Sequence, residues 1–180
     1  MGQPKALLTV CENTPLARYQ HDLLLQAGCA QAIVVLGCRA EFVSIRLTGC
    51  PVAVNPDWET GRLSSVKAGL KALQPFDGCV ILPVDTVGVK TQTVQHILDA
   101  AAREKARAIR PVAAGRRGKI IWISKTTADE ILAQDSGEGR LDYFFEDLAS
   151  ELEVQDQAIL NNINTPEEWE SARKSLISPH

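Results

Sequence analysis

Short runs of branched apolar residues alternate with amphipathic stretches through the first hundred positions, and few folds satisfy such a pattern. Residues 32–36 (AIVVL), 51–54 (PVAV) and 79–84 (CVILPV) carry no charge, as strands covered on both faces require. Between them, Leu16, Tyr19, Leu23 and Ala27 recur at helical spacing after Thr14-Pro15 and stop at Gly28, a cap, a first-turn proline and a glycine terminator. Leu63, Val66, Leu70 and Leu73 form a second stripe, and Val94, Ile97, Leu98 and Ala101 a third. Strands that alternate with helices of this length predict βαβ units, a mostly parallel sheet and helices on both of its faces.

The pattern loosens after about residue 105. Residues 108–113 and 120–123 predict strands around the turn Gly115-Arg116-Arg117-Gly118, an antiparallel excursion from the sheet. Thr127 with Glu130 predicts a capping box opening a short helix, and 141–148 another helix. Thr165-Pro166-Glu167-Glu168 predicts a capped C-terminal helix with Trp169, Ala172 and Leu176 on one face. No internal repeat and no low-complexity linker interrupts the chain, and 180 residues at 45% hydrophobic content predict one domain spanning 1–180.

Charge and cysteine usage narrow the classes further. Nineteen basic against 22 acidic side chains leave a net charge of −3, without the basic surplus that nucleic-acid backbones select. No apolar run approaches the roughly 20 residues of a membrane helix, and the first ten residues lack a signal-peptide layout; a cytoplasmic protein is expected. Cys11, Cys29, Cys38, Cys50 and Cys79 are odd in number and never closer than nine residues, which predicts reduced, mostly buried thiols rather than a disulfide framework or zinc ribbon. A thiol-based redox protein would need a paired or activated cysteine, and the spacing offers none.

Several positions can carry chemistry, and each has a plain structural alternative. Asp85 follows the apolar ILPV and opens a loop at the carboxyl edge of a parallel strand, where doubly wound proteins place ligands. It would serve as a hard-cation ligand, as a simple cap, or as a phospho-acceptor, although the acidic pair that receiver domains carry after their first strand is absent. In Asn161-Asn162-Ile163-Asn164-Thr165-Pro166, an amide oxygen could join a metal held by Asp85, or the asparagines could only shape the turn before the helix. Lys5 can neutralise phosphate or be merely solvated, and the same holds for Arg116, Arg117 and Lys119. Ser64 and Ser65, at a helix start after Gly61-Arg62-Leu63, can meet a base edge or an anion, or only cap. His21 and His96 lack a metal-ligand partner at i+4.

Taken in order, these segments resemble the MobA-like nucleotidyltransferases of molybdenum cofactor biosynthesis, over nearly the whole chain. Met1-Gly2-Gln3-Pro4-Lys5 matches the end of that family's opening signature, LAAGxSxRMGxxK. The stretch from Asn55-Pro56-Asp57-Trp58 through Gly61-Arg62-Leu63-Ser64-Ser65 resembles its base-side segment, and Pro83-Val84-Asp85 its metal-binding aspartate. Arg117-Gly118-Lys119 stands where many members have Arg-Gly-His-Pro, so Lys119 replaces histidine and Ile120 replaces proline. Asp135-Ser136-Gly137 resembles a later turn. Asn162-Ile163-Asn164-Thr165-Pro166-Glu167-Glu168 matches the closing motif in its guanylyltransferase-like asparagine form, while the GRLSSVKAGL segment leans toward the cytidylyl branch.

The resemblance implies a three-layer, Rossmann-like nucleotidyltransferase fold and transfer of a nucleoside monophosphate from CTP or GTP to a phosphorylated acceptor such as molybdopterin, with release of pyrophosphate. It implies catalytic roles for Lys5 and Asp85, and Mg²⁺ held by Asp85, Asn162 and Asn164. It implies substrate contacts from Gly2, Ser64, Ser65, Arg117 and Lys119. A molybdoenzyme or a second copy of the chain would be the protein partners. Against the family pattern, the first strand and Gly-rich loop are missing ahead of Met1. A start assigned too late is the expected reason, ahead of a shortened chain or a natural variant without activity. A catalytically silent module that binds a nucleotide or a partner on the same fold is the alternative function.

Overall fold

The computed structural model describes residues 2–73, 75–134 and 145–177. The strands are β1 (Val34–Leu36), β2 (Val52–Val54), β3 (Gly78–Ile81), β4 (Ala108–Ala113), β5 (Arg116–Arg117), β6 (Ile121–Ser124) and β7 (Ala149–Glu153). The helices are α1 (Leu16–Gln26), α2 (Ala40–Ser44), α3 (Arg62–Ala72), α4 (Thr91–Arg103), α5 (Lys125–Ala133) and α6 (Pro166–Ile177). The expected 135–137 turn and the first half of the expected 141–148 helix lie outside the described residues.

The α/β class and the helix-covered sheet agree with expectation, but the single, mostly parallel sheet does not. Two sheets are present among the described residues. In one, β1 and β2 pair in parallel, Val34 opposite Val52 and Leu36 opposite Val54. In the other, β3 pairs antiparallel with β6, β6 antiparallel with β4, and β4 parallel with β7 over five residues. The reversal at β6 comes from the excursion after β4. Its turn is tighter than expected: Ala114 and Gly115, both at positive φ, make a two-residue connection of the mirror-image type, which leaves Arg116 and Arg117 as strand β5.

The strands sit between two apolar layers. On one side Leu23 of α1, Ala27 just past its end, and Val94 and Ile97 of α4 pack on Ile109 and Trp122. On the other, Leu70 of α3 and Ala128 and Ile131 of α5 pack on Ala108, Ile121 and Ile123. Successive residues of β6 thus serve opposite layers, which is why its sequence is a continuous apolar run. The strand at 149–153 (ASELE) escapes that signal because it lies at the sheet's margin, with Ser150, Glu151 and Glu153 exposed and only Ala149 and Leu152 half-buried. Its pairing to β4 comes from the backbone.

Helix starts follow local chemistry, with two shifts from expectation. Helix α5 begins after Ser124, whose Oγ accepts the Thr127 N–H at 3.3 Å; Thr127 itself is turned inward and donates to the Arg107 carbonyl at 2.8 Å. Pro15, extended at φ −62°, takes the cap position of α1, and no side chain caps it. The capping box of α6 forms as the sequence implies, with the Glu168 N–H on Thr165 Oγ1 and the Glu168 carboxylate accepting the Thr165 N–H. The thiols divide: Cys50 and Cys79 are buried, Cys29 half-buried, Cys11 and Cys38 exposed. Burial in the core pushes the Cys79 thiol up to about 12.

Asp156 joins the start of α4 to the strand layer. It is 5% exposed, and its Oδ2 accepts from the Lys90 N–H at 2.8 Å and from Thr93 Oγ1 at 2.7 Å, while Oδ1 accepts the Ala158 N–H at 3.1 Å. Three donors on one buried carboxylate leave it well compensated. Asp156→Ala strands those donors and should lower unfolding stability by about 2–4 kcal/mol in urea titrations, with Asp156→Asn losing clearly less.

Candidate functional site

Past Ile81 the backbone of β3 leaves the sheet, and Leu82-Pro83-Val84 carries Asp85 to its carboxyl edge. The loop is held from two sides. Gln20 of α1, itself buried, donates its amide to the carbonyls of Thr86 (3.1 Å) and Val84 (3.4 Å). From the C-terminal part, the Ile163 N–H binds the Asp85 carbonyl at 3.0 Å and Asn161 Nδ2 binds the Val87 carbonyl at 2.7 Å. Two loops almost 80 positions apart in sequence are thereby fastened back to back.

The third member comes from the beginning of the chain. A short 3-10 turn, Lys5–Leu7, holds Lys5 with its Nζ 2.8 Å from Asn164 Oδ1 and 3.7 Å from Asp85 Oδ2. Ammonium and carboxylate are each between a quarter and a third exposed, so the pair is open to a ligand and worth little as a stabilising ion pair. Asn164 is oriented by its Nδ2 on the Asn162 carbonyl at 3.3 Å, and its N–H meets the Glu168 carboxylate at 2.6 Å. Asn162 is exposed beside this group, contributing its carbonyl to the brace. Lys5, Asp85 and Asn164 therefore come together from three distant segments.

The donor set suits a hard cation. A carboxylate oxygen and an amide oxygen both lie within reach of one positive atom, the Lys5 nitrogen. Among the described residues no group of three or more His, Cys, Asp or Glu could enclose a metal, so most ligands would have to come from substrate and water, as is usual for Mg²⁺ on nucleotides.

The remaining candidates divide between locations. Ser64 and Ser65 lie at the start of α3 and take the two amide hydrogens of Asn55, at 2.8 and 3.0 Å. Asn55 is 3% exposed and accepts the Asp57 N–H through its Oδ1, so it fixes the turn that aims the serines. Gly61 enables that turn with φ +115°, a value that side chains rarely allow. The resemblance placed Asn55 in the base-side segment without giving it a role, because only the fold shows that its amide reaches Ser64 and Ser65. Lys119, Ser65 and Asp85, with Arg62, border one cavity of about 830 Å³. Gly2 borders a different, smaller cavity of about 390 Å³ with Arg39 and Phe42. Arg117 projects from β5, where its Nε binds Glu151 Oε1 at 2.6 Å.

Comparison with known proteins fits this arrangement. The family model described as the MobA-like NTP transferase domain matches residues 1–153, and the chain belongs to that family. Nicotine blue oxidoreductase of Paenarthrobacter nicotinovorans is 34% identical over 97 residues, 53% of this chain and 47% of that protein; the chain thus spans about half the length of this curated relative. Rv0371c of Mycobacterium tuberculosis H37Rv superposes with a TM-score of 0.80 at 24% identity, covering 97% of this chain and 91% of that one. Its manganese complex gives 0.76 at 23%, over 96% and 92% of the two chains. The molybdopterin-guanine dinucleotide biosynthesis protein A of Archaeoglobus fulgidus gives 0.69 at 19%, over 96% and 90%.

Glu168 offers a check on the brace. Hydrogen bonds from the Asn164 and Thr165 amides, aided by the Lys5 charge, hold its carboxyl below the ordinary 4.5. Because the folded value is depressed, the brace's contribution is present above 4.5 and is lost as pH falls through the folded value. In an NMR titration the Glu168 carboxyl should titrate below 4.5, and exchange of the Asn164 amide should accelerate with the same midpoint. Glu168→Gln should abolish that pH response.

Proposed function

We propose that this protein is a Mg²⁺-dependent nucleotidyltransferase that moves a nucleoside monophosphate from CTP or GTP to a phosphorylated acceptor such as molybdopterin and releases pyrophosphate. The observation that carries the reading is the cluster of Lys5, Asp85 and Asn164. It gathers one positive charge and two hard oxygen donors at the strand edge, inside a domain of the MobA-like family.

The chemistry needs placement and charge neutralisation rather than a protein nucleophile. An oxygen of the acceptor phosphate forms a bond to the α-phosphorus as the bond from that phosphorus to the bridging oxygen breaks, and the electron pair departs on pyrophosphate. Asp85 with Asn164, and with Asn162 alongside, would hold the divalent ion, which when bound neutralises the α- and β-phosphate oxygens. Lys5 would turn from its carboxylate partner toward the leaving group, where a mobile ammonium follows developing charge. Ser64 and Ser65, positioned by Asn55, would bound the base or ribose, and Lys119 the acceptor. Gly2 would approach phosphate through its backbone N–H, and Arg117 would reach substrate only by releasing Glu151.

A second reading, a silent nucleotide-binding module, is supported by the cavity of about 830 Å³ bordered by Asp85, Ser65 and Lys119, which offers room for a nucleotide whether or not turnover follows. Pyrophosphate release with Mg²⁺ or Mn²⁺, CTP or GTP, and molybdopterin separates the two. Turnover in the wild type, reduced roughly 100-fold or more by Asp85→Asn and roughly 10-fold or more by Lys5→Met, supports the transferase. Nucleotide binding without any acceptor-dependent pyrophosphate supports the module.

A further inference from the structure

A second concentration of positive charge lies at α2, apart from the Lys5 and Asp85 cluster. Arg39 and Arg46 both lie over the ring of Phe42, their guanidinium carbons 4.7 and 3.8 Å from its centroid. The two charges are thus held within about one Debye length, roughly 10 Å at 0.1 M salt, where like charges still repel. Arg18, Arg107, Arg117 and Arg173 each meet a carboxylate. Among the described residues neither Arg39 nor Arg46 does, and Glu41 of the same helix forms an ion pair with neither.

Both arginines and the Phe42 ring border the cavity of about 390 Å³, whose other walls include the apolar Pro4, Leu7 and Pro15. No acidic side chain lines it among the described residues, and Lys5 and Asp85 stand outside it. Its volume falls in the lower part of the range that small-ligand pockets span. Arg46 is anchored where it stands, its Nη1 donating to the Phe42 carbonyl at 2.8 Å. Arg39 enters the helix from a left-handed backbone, φ 58°, a conformation uncommon outside glycine. A guanidinium that rests on an aromatic ring keeps in-plane N–H donors for a second partner.

The chemistry of the walls selects the occupant. A carboxylate has two oxygens, which one guanidinium fork saturates. A phosphate monoester carries close to two negative charges at neutral pH and three terminal oxygens, and so meets two forks at once. The apolar walls suit a ligand whose phosphate sits on a flat or apolar body. Two cations on a chain of net charge −3 are too few to follow a nucleic-acid backbone. We propose that this cavity is a binding site for a small phosphate monoester with an aromatic or apolar body, the phosphate held by Arg39 and Arg46 and the body packed on Phe42, Pro4 and Pro15. The cavity and its paired arginines carry this inference, which does not depend on the proposed activity.

The test titrates the protein with phenyl phosphate, an aryl phosphate monoester, in EDTA buffer without divalent ion or nucleotide. Arginine Nε–Cζ NMR signals are followed, assigned by through-bond correlation to the backbone. Those of Arg39 and Arg46 should shift together and saturate below about 10 mM, with inorganic phosphate and benzoate each binding roughly tenfold or more weakly. Arg39→Gln and Arg46→Gln should each weaken phenyl phosphate by roughly tenfold, and Arg46→Lys, which keeps the charge and loses the fork, by roughly threefold or more. The absence of a saturable shift up to about 10 mM would make the arginines a cover for Phe42 and overturns the proposal. Benzoate binding as tight as phenyl phosphate overturns it too, as does a shift confined to the amides around Lys5 and Asp85, or unchanged affinity in both glutamine variants. The titration of the unaltered protein decides the matter even where a variant does not fold.

Discussion

Two hydrogen bonds between the loop after β3 and the segment before α6, Ile163 N–H to the Asp85 carbonyl and Asn161 Nδ2 to the Val87 carbonyl, determine where every candidate ligand stands. Without them Asp85 and Asn164 would belong to independent loops, and Lys5 would have no pair of oxygens to approach. Asp156 reinforces the link a few residues earlier by holding the start of α4. Behind them Leu8, Val10 and Leu16 from the first part of the chain pack with Val87, Ile163 and Trp169. Backbone-directed bonds anchored on a buried apolar cluster are a rigid way to hold a site whose own side chains stay partly exposed.

That rigidity contrasts with the centre of the molecule. Among the described residues the strand layer divides between β1 and β3, leaving one edge of each beside the large cavity, and such edges are normally paired, covered or charged. Gln31 bridges the amino ends and the Lys5–Leu7 turn bridges the carboxyl ends, so the two halves keep a common polarity. Chemistry and scaffold therefore meet at one place: the turn that presents Lys5 to Asp85 also borders the large cavity through Ala6. Family membership and the superposition on Rv0371c say that the domain outline survives this division.

Particular elements show what could be read in advance. The continuous apolar runs of β1, β2 and β3 and the stripes of α1, α3 and α4 were legible because strands covered on both faces and half-buried helices impose different periods on sequence. The capping box of α6 was legible because its partners lie within four residues. Helix α5 was placed three residues late, since Thr127 and Glu130 imitate a box while Ser124 is the cap. Strand β7 was missed because its polar sequence follows from exposure, and only its register with β4 makes it a strand.

The sequence by itself determined the α/β class, the alternation of its main strands and helices as far as α4, and the chemical types available at Lys5, Asp85 and the asparagines around Ile163. Each of these depends on a periodicity or a short motif. Which asparagine shares Lys5 with Asp85, which serines Asn55 aims, where Arg117 turns and how the sheet divides were decided only in three dimensions. They depend on contacts between segments tens to more than a hundred residues apart, and no local spacing records which distant backbone groups will need partners once water is excluded.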